Sequence, residues 1–241
     1  QETIRSQKDT QPIPATEKTA QETPLEQKAK PAEKYGVAAE TTSENSALEI
    51  SDPAVLSPPG KREQPGGILV TLPDNVKAWQ LDNTGIVLLQ AFLPAFFKTL
   101  ELTDGKKFLS RESQDKAACL LHYLATGATS TPEYELLLPK ILCGIPLGVP
   151  LDSDITVSPE ESEEADALLQ AVIGHWTALG SVSADGLREG FLRRPGKLVQ
   201  RDNGWRLQIE RHTIDILLDR APFSVGVVKL PWMKEILWVE W

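Results

Sequence analysis

The chain has 241 residues, 41% of them hydrophobic and 24% charged, with a formal net charge of -9 and an isoelectric point near 5.0. That balance lacks the clustered Lys/Arg surface on which phosphate binding depends, so it argues against nucleic acid and against an anionic membrane face. No apolar run approaches the roughly 20 residues of a membrane span, so no direct membrane insertion is expected; two cysteines, Cys119 and Cys143, do not make a disulfide scaffold and point to a reducing compartment.

Residues 1–67 differ in kind from the rest. Stretches such as QKDTQPIPATEKTAQETPLEQKAKPAEK mix Gln, Glu, Lys, Thr and Pro with almost nothing aromatic. Such a segment cannot bury enough apolar surface to offset its chain entropy, and a disordered Pro/Glu/Gln/Lys-rich linker is predicted. It closes on PPGKREQPGG, a boundary beyond which every tryptophan and phenylalanine lies. Residues 68–241 are expected to fold as one compact domain.

The first half of that domain reads as helical. In DNTGIVLLQAFLPAFFKTL, Ile86, Leu89, Leu93, Phe96, Phe97 and Leu100 recur at three- and four-residue spacing, with Pro94 expected to kink or divide the segment. A helix follows from about Arg111 to Ala125, capped by Ser110 and stopped at Gly127. TPEYELLLPKILCGIP reads as two short helical pieces interrupted at Pro139. The clearest element is SPEESEEADALLQAVIGHWTAL: Ser158 caps, Pro159 takes the first helical position and Glu161 completes a capping box. Leu168, Val172, Trp176 and Leu179 form its apolar stripe, and SADGLREGFLRR is a shorter helix capped by Ser183.

After Gly196 the period changes to two. KLVQRDNGWRLQIER is a hairpin turning at Asp202-Asn203-Gly204, with Trp205, Leu207 and Ile209 on one face. SVGVVKL and ILWVEW are two further strand candidates. The predicted architecture is α+β, a mainly helical layer followed by a small antiparallel sheet.

A search for chemistry finds only fragments. Cys119 and His122 stand three apart on a predicted helix, but two ligands do not hold zinc and no CxxC pair supplies the rest. A packed thiol beside a hydrogen-bonded histidine is the plainer reading. His175 and His212, the latter near Asp215, lack an accompanying nucleophile elbow or phosphate loop. No catalytic, cofactor-binding or metal residues are assigned. Arg188, Arg193, Arg194 and Lys197 form a basic cluster in an acidic chain, either a solvated edge or a docking patch for an acidic neighbour.

The tryptophans are more informative. Three of them, Trp232, Trp238 and Trp241, fall in the last ten residues of a chain that ends KLPWMKEILWVEW, where order usually fades. In ILWVEW, Leu237, Val239 and Trp241 point one way, and Ile236 and Trp238 the other. Both faces are apolar, so the strand is either central in its own sheet or covered by another subunit. The interface candidates are Trp232, Trp238, Trp241, Trp205, Arg193 and Arg194.

The segments LLHYLATG, PEYELLLPKILCGIPL, LLQAVIGHWTALGSVSADGLREGFLRRPGKL, GWRLQIER and KLPWMKEILWVEW occur in that order. Together they resemble the C-terminal block of tape-measure proteins from contractile injection systems, the phage-tail-like particles made by bacteria. The likeness covers about residues 72–241. It implies a structural assembly role, setting inner-tube length, and no catalytic residues; because a compact folded block cannot itself measure length, this chain is expected to be the terminal anchor of the ruler. The likeness also implies tube, baseplate or cap proteins as partners, a trimer or hexamer matched to a six-fold tube, and a location in the bacterial cytoplasm and then inside the particle. An adaptor or chaperone for another particle component is the alternative. Residues 1–67 would span about 100 Å as a helix, but their prolines forbid a continuous one, so the measuring region is expected upstream of Gln1 or in another copy.

Overall fold

The computed structural model describes residues 35, 69–71, 77–202 and 204–241. The expected disordered linker, residues 1–67, lies outside the described residues except for Tyr35.

Strands β1 (Leu69–Thr71) and β2 (Lys77–Leu81) open the fold. A 3-10 turn over Thr84–Leu89 leads into helix α1 (Leu93–Thr99), where Pro94 sits in the first turn and divides the segment as its missing donor requires. Helix α2 (Arg111–Thr126) has Ser110 as its cap, accepting from the Ser113 amide at 3.0 Å, and ends at Gly127. Every residue from Ala117 to Ala125 is buried, which makes α2 the central helix of its layer. A short 3-10 turn (Glu133–Glu135) precedes α3 (Leu137–Cys143). Pro139 does not interrupt α3 as expected but lies within it. It occupies the first turn, where an amide has no intrahelical acceptor to lose.

Helix α4 (Pro159–His175) carries the predicted capping box: Ser158 accepts from the Glu161 amide at 3.2 Å, and Glu161 accepts from the Ser158 amide at 2.8 Å. Its stripe of Leu168, Val172, Trp176 and Leu179 is buried. Helix α5 (Ala184–Leu187), capped by Ser183, continues into a π turn over Arg188–Leu192.

Strands β3 (Gly196–Arg201) and β4 (Gly204–Ile209) form the expected hairpin, with Trp205, Leu207 and Ile209 all buried. A 3-10 turn over Thr213–Arg220 follows, then the two-residue β5 (Val227–Val228) and the terminal β6 (Ile236–Glu240). Among the described residues the sheet has six strands in the order β1-β2-β3-β4-β6-β5. Two features differ from the sequence reading. The pair β1/β2 precedes the helices, and β6 runs parallel to β4 while the other pairings are antiparallel. The parallel pairing follows from the long connection through residues 210–235, which returns the chain to the start of β4.

Two glycines permit close backbone approach. Gly204, at φ 134°, lies so near β6 that a Cβ would stand 2.4 Å from the Ile236 carbonyl oxygen. A Cβ on Gly85 would stand 1.7 Å from the Phe191 carbonyl oxygen, because the 84–89 turn packs directly on the π turn. Gly85→Ala is therefore expected to cost about 3 kcal/mol through forced backbone displacement. A urea melt with an unchanged midpoint would refute that close approach.

Candidate docking surface on the outer face of the sheet

The two faces of the sheet are unlike. Leu81, Leu198, Leu207, Leu237 and Val239 belong to the continuous core beneath the helical layer. Strand alternation sends their neighbours to the opposite face. There Ala78, Val199, Arg206, Trp238 and Val227 lie side by side in register across five strands. Ala78 and Val199 are buried, Arg206 is half-buried, and the row ends on Trp238, 50% exposed, beside exposed Val227. Arg206 pairs with Glu240 at 3.2 Å and Gln208 donates to Glu240 at 2.9 Å, so the polar groups beside the indole satisfy one another.

Strand β6 therefore answers part of the question its sequence poses. It has hydrogen-bonded neighbours on both sides, β4 and β5, which accounts for the buried Leu237 and Val239. It does not account for Trp238. A half-exposed tryptophan leaves on the order of 100 Å² in water, worth about 2–3 kcal/mol if a partner covers it.

The other candidates lie elsewhere. The Trp232 ring is 4.8 Å from Phe108 and 5.8 Å from Phe97, and its Nε1 donates to the Leu142 carbonyl at 2.8 Å. Trp241 is half-buried and donates to the Val225 carbonyl at 3.1 Å. Trp205 is on the inner face, 5.9 Å from Trp79. These three are tied into their own domain.

The basic cluster is divided in the same way. Arg194 has no exposed surface: it pairs with Asp215 and donates to the Gly190 carbonyl at 2.8 Å. Arg188 is buried against Asp166 at 2.6 Å and Asp185 at 2.9 Å, over the Tyr123 ring. Only Arg193 of the three arginines is exposed, and it holds Glu189 and the Thr126 carbonyl. Reading charge along the chain made one patch of residues that the fold places at different depths. Sequence reasoning also missed Arg206 and Val227, whose place beside Trp238 depends on strand pairing, and Ile216, 72% exposed on the 213–220 turn.

The residues considered for chemistry are dispersed. His122, buried on α2, meets Glu135 at 2.6 Å and Thr126 at 3.4 Å. Cys119 contacts the Thr131 hydroxyl at 3.7 Å, and burial pushes its thiol pKa up. Burial raises the Cys143 thiol further. His175 lies 5.7 Å from Phe92, and His212 caps the 213–220 turn by accepting an amide while its own amide donates to Asp215 at 2.7 Å. Among the described residues no group of three or more His, Cys, Asp or Glu is placed to hold a metal ion, and no helix is long and apolar enough to cross a membrane. A cavity of about 230 Å³ beside α3 has walls of Ile141, Ile145, Leu147, Trp205 and Met233, with Lys234 and Glu235 also lining it.

Across residues 1–241 the chain matches the model of the contractile injection system tape measure proteins, and it belongs to that family. Comparison with curated proteins and with solved structures returns no match. The chain is thus a structural component of a contractile injection system, associated with the particle and in contact with other particle components.

Core and surface separate on mutation. Arg194→Met should cost about 3–5 kcal/mol, since it strands Asp215 and two carbonyls without their buried partner. Trp238→Ser should cost about 2 kcal/mol, because half of the indole already lies in water and only the other half gives up buried area. Chemical denaturation of both variants checks the contrast, and equal losses would place Trp238 in the core.

Proposed function

We propose that the folded body is the terminal anchor of the tape measure, docking onto a tube, baseplate or cap protein through the outer face of its sheet, with Trp238 at the centre of contact. The observation that carries this reading is the half-exposed Trp238 beside Val227, on a strand whose hydrogen-bonding edges are already occupied. A new strand cannot readily be added there, so recognition falls to side chains. Aromatic anchors surrounded by satisfied polar groups are what energetic centres of interfaces look like. Trp232, Trp241 and Trp205 hold the domain that presents Trp238, and Arg193 supplies exposed positive charge to the same body.

Copies assemble as a trimer or hexamer to match the tube, which multiplies a modest contact per copy. Assembly takes place in the bacterial cytoplasm and the protein then resides in the particle.

Trp238→Asp tests the anchor. The variant should keep the wild-type circular dichroism spectrum and a cooperative melt, at a midpoint lowered by a few degrees, because only half of the indole is buried. Particles from cells carrying it should be absent or scattered in length by electron microscopy. Particles of normal number and uniform length, built with a folded variant, would remove Trp238 from the docking contact.

A further inference from the structure

Tyr35 is the lone aromatic among residues 1–67, set between Lys34 and Gly36 in a run of Gln, Glu, Lys, Pro and Ala. Its side chain is nonetheless 1% exposed and joins the same continuous core as the helical layer. The ring lies 6.4 Å from that of Phe96 on α1, tilted by 56°. The phenol hydroxyl donates to the Glu164 carboxylate on α4, 129 positions further along the chain. Burial, followed by the hydrogen bond and charge of Glu164, pushes the phenol pKa upward, so the hydroxyl stays a donor across the physiological range. An apolar ring against Phe96 and a satisfied hydroxyl at Glu164 give Tyr35 a seat suited to both ends of its side chain.

We propose that Tyr35 is a latch that fastens the N-terminal segment onto the helical layer at Phe96 and Glu164, 34 positions ahead of β1. Covalent connectivity then makes residues 36–68 a closed loop, held at one end by Tyr35 and at the other by β1. With the latch shut, those residues add nothing to the reach of the tail. Released, they add at most about 110 Å of contour at roughly 3.4 Å per residue. A pull on the tail loads Tyr35 before it loads β1. In a tape measure protein such a contact sets how much chain is free between the body and whatever the tail holds. The latch belongs to the isolated chain and does not require docking through Trp238, so each can fail without the other.

Trypsin reads the latch directly, because Lys34 precedes Tyr35 and Lys18 lies well upstream. Native digestion of the full chain gives a cleavage rate at each bond, which is divided by the rate at that bond in an isolated 1–67 peptide with the same residue at position 35. The wild-type chain should be at least tenfold protected at Lys34 and unprotected at Lys18. Tyr35→Ala should abolish the Lys34 protection, and Tyr35→Phe should keep part of it. Glu164→Ala leaves the tail sequence intact and should lower that protection severalfold without changing tryptophan emission from the body. Protection that survives hundredfold dilution places a chain's own Tyr35 in the socket. Protection lost on dilution would put a second copy's tail there and overturn the latch, as would wild-type cleavage at Lys34 as fast as in the peptide.

Discussion

Arg194 carries a full positive charge to a point with no exposed surface, and four elements converge to satisfy it. Its guanidinium pairs with Asp215 on the 213–220 turn and reaches the Glu210 carbonyl, at 3.4 Å, just past the end of β4. Nε donates to the Gly190 carbonyl at 2.8 Å, a group the π turn leaves without a helical partner. The Arg194 carbonyl in turn accepts both the Thr84 amide at 3.0 Å and the Thr84 hydroxyl at 2.7 Å. Desolvating such an ion costs several kcal/mol, so the pair is weak ground for stability in itself. Its consequence is register: the charge is satisfied only when helical layer, sheet and the 213–220 turn stand in one arrangement.

That arrangement is what makes an exposed tryptophan meaningful. Strand β6 is fixed from beneath by Leu237 and Val239 and at its end by the Trp241 hydrogen bond to Val225. With the inner positions taken, the two-residue period leaves Trp238 no inward alternative. Its exposure is a product of a well-determined fold, not of slack at a chain terminus. The adjacent Arg206–Glu240 pair means that an approaching surface meets an apolar ring among neutralised charges. This holds on a chain whose overall charge is -9.

Local chemistry was legible in the sequence, and non-local pairing was not. The Ser110, Ser158 and Ser183 caps, and the turn before Gly204, are each settled by a few adjacent residues, and each forms where expected. Strand β2 escaped notice because Lys77–Leu81 finds its partner in β3, more than a hundred positions away. The burial of Arg194 was invisible for the same reason: Asp215 and Thr84 approach it only in three dimensions. Of the candidate surface, the orientation of Trp238 could be read from alternation alone, whereas Val227 and Arg206 could not be placed beside it. Tyr35 shows a limit of compositional reasoning, since a segment poor in apolar residues can still contribute one that packs.

The central claim is that the outer face of the sheet meets another particle protein at Trp238. A photo-crosslinking amino acid at position 238, introduced in cells that build the particle, reports the neighbour of that position directly. Mass spectrometry of the crosslinked products should identify a tube, baseplate or cap protein in assembled particles. Crosslinks confined to the same chain, or none in assembled particles that contain the protein, would contradict the account.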